Sequence, residues 1–244
     1  MMNAIEARGL TKRFGAKTAV RQLEMTVAEG ELFALLGVNG AGKTTAIRLL
    51  TCLSRADAGE AYLAGHSIRD EEQAVKAICN VSPQETAVAT RLSVRENLLL
   101  IARLYGADKA EAERRTEAVI ERLGLLSVAE RRAGVLSGGW QRRLSIAMAL
   151  ISEPKILFLD EPTLGLDVLA RRELWDILRE LKGKITVVLT THYLEEAEAL
   201  ADRIGILSRG KMVACDTADA LKARAGKDSF EEAFIALATG EVTA

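Results

Sequence analysis

Nowhere does the chain contain an uncharged apolar run of the about 18 residues that a membrane-crossing helix needs. It is therefore expected not to span a bilayer. Cysteine is scarce: Cys52, Cys79 and Cys215 are odd in number, far apart and in no Cys-x-x-Cys spacing. That argues against a disulfide framework or a zinc site and fits a reducing compartment. The N-terminal stretch Met-Met-Asn-Ala-Ile-Glu-Ala-Arg lacks the apolar core of a signal peptide. Neither sign of charge dominates, since 33 Lys and Arg against 34 Asp and Glu leave a net charge of −1. No global field draws the chain to nucleic acid or an anionic membrane, and no nucleic-acid partner is expected. Internal repeats, low-complexity segments, long linkers and sustained heptads are also missing. What remains is a chain of 244 residues, enough for one well-filled domain with or without an inserted subdomain.

Three short apolar runs, residues 32–36, 156–159 and 186–190, read as strands buried on both faces. Each is followed by polar or glycine-rich residues and then a helical pattern, as in a parallel α/β sheet. Ligands of such sheets sit beyond the carboxyl ends of the strands, where Gly37, Asp160 and His192 fall. Further strands are expected near 5–10, 60–64, 204–207 and 212–215, some antiparallel. From about residue 85 to 152 no strand signal interrupts. Segments 94–104 and 109–123 read as helices, with Thr116, Val119, Ile120 and Leu123 on one face and Gly124 as a C-terminal cap. After Leu136 comes an amphipathic run carrying Leu144, Ala147, Met148 and Ile151 on one side. Near the end, Ser229-Phe230-Glu231-Glu232 has the form of a capping box. Phe230, Phe234 and Leu237 then make an apolar stripe, and residues 240–244 are expected to fray.

The chemistry-bearing residues begin with Gly37-Val38-Asn39-Gly40-Ala41-Gly42-Lys43-Thr44, which matches G-x-x-x-x-G-K-[ST] between a strand and a helix. Its glycines let backbone N–H groups wrap phosphates at the positive end of the helix. Lys43 would reach the β- and γ-phosphates and Thr44 would ligate Mg²⁺. Asp160 ends an apolar strand, as a metal-holding carboxylate should, and Glu161 follows directly. Neighbouring carboxylates at a strand end point different ways, so one can serve the metal and the other polarise a water. A second anion site is expected at Leu136-Ser137-Gly138-Gly139, with Ser137 capping a helix whose first turn offers the N–H groups of both glycines. The fragment 135–139 lacks the G-x-S-x-G elbow of a hydrolase nucleophile.

Gly37–Thr44, Gln84, Leu136–Gly139, Asp160-Glu161, Leu166-Asp167 and His192 follow one another in the order and approximate spacing of an ATP-binding cassette (ABC) ATPase. The resemblance covers nearly the whole chain. It implies an α/β fold of the P-loop NTPase (RecA-like) type: a mostly parallel sheet core, an N-terminal antiparallel β part and an inserted helical subdomain. Residues 1–84 and 152–226 would form the nucleotide-binding core, 85–151 the subdomain with the signature motif, and 227–244 a short C-terminal helix and tail. The cofactors implied are ATP and Mg²⁺, with Asn39, Gly40, Ala41, Gly42 and Thr45 among the residues of the phosphate loop. A head-to-tail pair is implied as well, a homodimer or cassette pair in which Ser137, Gly138 and Gly139 of one subunit meet the γ-phosphate held at Lys43 of the other.

By the same resemblance Gln84 contacts Mg²⁺ or the attacking water, His192 steadies the γ-phosphate and the water near Glu161, Asp167 crosses the dimer interface, and Phe14 stacks on adenine. Where the signature usually continues with Gln, Trp140 stands and Gln141 follows; Trp140 is read as packing against the subdomain. Segments such as Ser93-Val94-Arg95-Glu96-Asn97-Leu98 and Thr191-His192-Tyr193-Leu194-Glu195-Glu196 resemble drug-resistance exporter ATPases. That type works on the inner face of the cell membrane through a separate permease, so the chain is expected to be cytoplasmic and peripheral. An importer subunit and a stand-alone cassette, for example for iron–sulfur assembly, are the alternatives; a P-loop kinase leaves residues 136–139 unexplained. The cleft between Gln84 and the helix from Val94 is expected to receive the permease, with alanine at Leu98 or Leu99 uncoupling transport.

Overall fold

The structure, a computed structural model, describes residues 3–241. Asn3–Phe14 (β1) and Lys17–Ala28 (β2) form an antiparallel hairpin whose alternating Ile5, Ala7, Leu23, Met25 and Val27 are buried. Sequence reading missed β2. Its inward residues Val20 and Leu23 lie three apart, because the register shifts around Gln22, which sits at φ 46. Leu32–Leu36 (β3) and Lys43–Leu50 (α1) come next, followed by Ala58–Leu63 (β4), His66–Ser67 (β5), Glu72–Ile78 (α2) and Cys79–Ser82 (β6). The short β5, α2 and β6 also escaped the sequence reading. Their runs are too brief and mixed in polarity to show a period.

Between β6 and β7 (Ile156–Asp160) the chain is helical: Val94–Leu104 (α3), Lys109–Arg122 (α4), two short 3-10 turns and Gly138–Leu150 (α5). A complete capping box opens α3, with Ser93 Oγ accepting from the Glu96 N–H and Glu96 accepting from that of Ser93. Thr116, Val119, Ile120 and Leu123 are all buried as expected. Gly124, at φ 64, ends α4 with the Leu125 N–H on Ile120 O and its own N–H on Glu121 O. The α5 helix departs from the amphipathic expectation: from Arg142 to Leu150 every residue but Met148 is buried. A helix enclosed on nearly all sides leaves no polar face to mark its period.

Val168–Leu181 (α6), Thr186–Thr191 (β8), Leu194–Leu200 (α7), Arg203–Ser208 (β9), Lys211–Asp216 (β10), Ala218–Ala225 (α8) and Phe230–Thr239 (α9) complete the described elements. At the start of α9, Ser229 accepts from Glu232 N but the return bond of a capping box is absent. Residues 242–244 of the expected frayed tail lie outside the described residues.

Two sheets result, an antiparallel one in the order β2-β1-β4-β5 and a six-stranded one in the order β10-β9-β3-β8-β7-β6. In the second all pairs are parallel except β9 with β10. Its central strands are buried on both faces and divide their side chains between two layers. Phe33, Leu35, Phe158 and Val188 pack toward the antiparallel sheet and α1; Leu32, Leu36, Leu157, Leu159 and Leu189 pack toward the helices. That double coverage explains the unbroken apolar runs. Cys52, Cys79 and Cys215 are unpaired.

Candidate functional site

The carboxyl ends of β3, β7 and β8 open on a cavity of about 430 Å³ lined by Asn39–Thr45, Gln84, Glu161, Leu164 and His192, with Lys17 and Ala19 reaching it from β2. The loop from Gly37 to Gly42 is shaped by close backbone approach. A Cβ at Gly37 would come to 2.5 Å from Leu207 O, and one at Gly42, which sits at φ 109, would collide with Ala19 O. Only glycine meets both demands there. Lys43 is buried and donates to Gly37 O at 2.6 Å, while its Nζ stands 3.0 Å from Glu161 Oε1.

Below the cavity, Thr190 organises the two carboxylates. Its hydroxyl donates to Asp160 Oδ1 at 2.6 Å and accepts from the Glu161 N–H at 3.0 Å. The Glu161 N–H also reaches Thr190 O at 3.1 Å, and Glu161 adopts φ 50, a left-handed conformation that costs a non-glycine residue energy. The turn aims the carboxylates apart. Asp160 Oδ1 accepts from Thr44 Oγ1 at 3.2 Å, whereas Glu161 Oε2 lies 2.7 Å from His192 Nδ1. The pairing of a hydroxyl with a carboxylate oxygen at Thr44 and Asp160 is a hard-oxygen donor set that suits Mg²⁺.

Behind His192, the wholly buried Glu196 of α7 accepts from Trp175 Nε1 at 3.2 Å through one oxygen, and its other oxygen has no partner. Burial is the largest influence on this carboxyl and pushes it up from its ordinary 4.5. It outweighs the Thr191 and Thr163 hydroxyls and the Trp175 N–H, which pull it down, while the charge of Glu161 adds a smaller push. A raised native value means that the fold favours the neutral acid. The stabilisation is complete below the unfolded value and is lost as pH rises through the native one. Glu196→Gln, neutral throughout, should therefore gain melting temperature over the native protein at about pH 8 relative to about pH 5. Parallel melting curves at both pH values would refute this.

Of the residues singled out from the sequence, the structure brings Asn39, Gly40, Ala41, Gly42, Lys43, Thr44, Thr45, Gln84, Glu161 and His192 to one cavity, with Asp160 bonded to Thr44 and Gly37 to Lys43. Phe14, Ser137, Gly138, Gly139 and Asp167 do not line the cavity. Phe14 is 54% exposed, with Lys12 Nζ 5.5 Å from its ring centre, and its cross-strand partner Lys17 does line the cavity. Asp167 is exposed and caps α6, accepting from the Ala170 N–H at 2.9 Å.

Ser137 corrects an expectation. It occupies the N-cap position of α5, yet its side chain accepts from no helix N–H. The preceding turn is held by Gln141 instead, whose Nε2 donates to Ala133 O at 3.1 Å and Leu136 O at 3.3 Å. By contrast Ser93, Asp108, Asp167, Thr217 and Ser229 all cap their helices in the ordinary way. Trp140 is half-buried against the helical core under the Arg143 guanidinium, which pairs with Glu173 of α6. It packs as the sequence suggested.

Sequence reasoning missed Lys17, Ala19 and Leu164 on the wall and Thr190 beneath it. Thr190 shares its strand with Thr186 and Thr191, so its hydroxyl carried no signal that set it apart.

Residues 20–164, more than half of the chain, match the ABC transporter family. A daunorubicin resistance ATP-binding protein of Streptomyces coeruleorubidus is 44% identical over 93% of this chain and 72% of its own length. A doxorubicin resistance ATP-binding protein of Mycobacterium tuberculosis is 42% identical over 94% of this chain and 70% of its own. Among solved structures, an ATP-binding subunit of an ABC transporter superposes with a TM-score of 0.85 at 30% identity, covering 96% of this chain and 99% of that one. A dimeric ATP-binding cassette with ADP and Pi, in a post-hydrolysis state, superposes with a TM-score of 0.78 at 25% identity over 87% of this chain and 98% of its own. With the phosphate loop, paired carboxylates and histidine gathered at one sheet end, the chain belongs to the ABC transporter family as an ATP-binding, ATP-hydrolysing cassette.

Proposed function

We propose that two copies of this chain close head to tail around two ATP molecules and that hydrolysis drives a separate membrane permease for export. One observation carries the pairing. The cavity collects the phosphate loop and the Gln84, Glu161 and His192 side chains, but none of Ser137–Gly139. Ser137 keeps its hydroxyl free of its own helix, and Gly138 and Gly139 occupy the first turn, where N–H groups have no helical partner. A second copy brings that end of α5 to the γ-phosphate and completes the site. The start of α6 adjoins that end, since a Cβ at Gly139 would lie 3.3 Å from Ala170 Cβ, and Val168 and Leu169 are exposed there.

Thr44, Asp160 and Gln84 would hold Mg²⁺, which when bound neutralises charge developing on the β- and γ-phosphate oxygens. The phosphate loop and Lys43 bind and orient the triphosphate. Phosphate competes with Glu161 for the Lys43 ammonium. Release of Oε1 leaves that oxygen to accept a proton from the attacking water, while His192 holds Oε2 and fixes the carboxylate plane. Phe14, at the hairpin tip beside Lys17, stacks on the base.

Residues 85–151 form the inserted helical subdomain in this reading, supported by α3, α4 and α5 following one another with no named strand between them. The core is 1–84 with 152–226, and 227–244 closes it. Among the described residues no helix is long and apolar enough to cross a membrane. In this reading a separate permease supplies the pathway and holds the cassette at the inner face of the cell membrane. The export reading, with antibiotic-like cargo, is supported by the chain's similarity to daunorubicin and doxorubicin resistance proteins.

The docking site on α3 needs revision. Leu98 is fully buried, so Leu98→Ala would cost the about 2–5 kcal/mol of a core cavity and report on stability. Leu100, Leu104 and Tyr105 are the exposed apolar residues there and form the better patch. With permease co-expressed, Leu104→Asp combined with Tyr105→Asp should abolish co-purification and leave ATP binding intact. Undiminished co-purification would move the docking site elsewhere.

A further inference from the structure

The α5 helix is tied to β6 and the loop beyond it by a ladder of polar contacts. At one end Asn80 Nδ2 donates to Ser152 Oγ at 3.1 Å, just past the helix. In the middle the buried hydroxyls of Ser82 and Ser145 lie 2.9 Å apart. At the other end Arg142, 5% exposed, donates from Nη1 to Pro83 O at 2.7 Å and from Nη2 to Gln84 O at 2.5 Å. Arg142 and Ser145, three residues apart, project from one face of the helix, and Ser152 follows just beyond its end.

The two ends of this ladder matter differently. Asn80 and Ser82 belong to a strand that is already fixed in the sheet by its pairing with β7. Pro83 and Gln84 are exposed and lie beyond that pairing. Arg142 is thus the group on α5 that grips the free part of the loop, and a planar guanidinium bonded to two successive carbonyls fixes both position and orientation. The same helix begins at Ser137, one turn away.

We propose that Arg142 is a positioning residue: it is a rigid strut that sets Gln84 in the nucleotide cavity according to the seating of the α5 N-terminus on the partner's nucleotide. Contact made by Ser137 and the two glycines on one side of the dimer is thereby registered at Gln84 in the same subunit. Burial lowers the guanidinium's proton affinity, but the nearby Asp160 charge opposes this and the group stays a cation. The inference rests on the ATPase reading above, with Gln84 acting at the nucleotide.

The test is a double-mutant cycle on the full chain, comparing native protein, Arg142→Ala, Gln84→Ala and the double variant. ATP turnover and the affinity for a fluorescent ATP analogue are both measured. Arg142→Ala is expected to lower kcat about tenfold, within the 10²-fold that a misplacement of ~1 Å can cause, with analogue affinity nearly unchanged. Added to Gln84→Ala it should cost nothing further, because its effect passes through that residue. Arg142→Lys, able to serve one carbonyl but not both, should recover part of the loss. If Arg142→Ala fails to fold, the same cycle with Arg142→Lys decides by the same criterion. Losses that multiply in the double variant, with Gln84→Ala itself slow, overturn the strut and leave the ATPase reading standing. A Gln84→Ala protein with native turnover removes Gln84 from the reaction, and the strut with it.

Discussion

Glu161→Gln should bind ATP at least as tightly as the native protein and hydrolyse it about 10²–10⁴-fold more slowly, the usual worth of a positioned general base. The substitution is nearly isosteric at a buried position, so the cavity keeps its shape. What changes is charge. Native Glu161 divides its oxygens between Lys43 Nζ at 3.0 Å and His192 Nδ1 at 2.7 Å. A neutral amide no longer competes with phosphate for Lys43, which is why affinity should rise. It also cannot take a proton from water, which is why turnover should collapse. Closed dimers then outlive the reaction and should accumulate on adding ATP and Mg²⁺, visible by light scattering as a doubling of mass. A variant with turnover within a few-fold of native would assign the base to another group.

The second large effect concerns ownership of the active site. Lys43→Ala removes the phosphate cation and Ser137→Arg blocks the signature, so each homodimer should be inactive. In a mixed dimer one site carries both lesions and the other carries neither, since its Lys43 comes from the serine variant and its Ser137 from the lysine variant. Random pairing at equal concentrations makes half the dimers mixed, each with one intact site. Turnover should return to about a quarter of native in a two-fold pair with shared sites. A site contained within one chain cannot be rescued in this way, and failure of mixing to restore any activity would count against the head-to-tail arrangement. Native turnover by Ser137→Arg alone would dismiss the signature contact outright.

The two expectations draw on residues of very different legibility. Gly37–Thr44 could be read directly because its geometry is local. Consecutive residues set the turn, and a Cβ at two of its positions would strike the backbone. Asp160-Glu161 was legible for a similar reason, as adjacent carboxylates after a buried apolar run must end at a strand edge. His192 and Gln84 were placed by their order in a family resemblance, and the structure brings both to the cavity. The bulged β2 and the enclosed α5 were misread because local pattern fails where a bulge breaks the period or burial leaves no polar face.

Thr190, Lys17 and Arg142 could not have been assigned their partners from the chain alone. Thr190 acts on residues about thirty positions back, and Arg142 grips carbonyls nearly sixty positions away. Ser137 shows the same limit in reverse. Its position before a helix predicted a cap, but Gln141 holds that turn and the hydroxyl is left over.

By itself the sequence determined the chemical groups and their local settings: the phosphate loop, the carboxylate pair, the strands that end beneath them and the absence of a membrane-length apolar run. Those follow from steric and hydrophobic rules that act over a few residues. Tertiary structure alone decided which distant side chains share a proton or a carbonyl, and that Ser137 stands outside its own chain's cavity. Such facts depend on how the layers pack, and packing is a property of the whole chain.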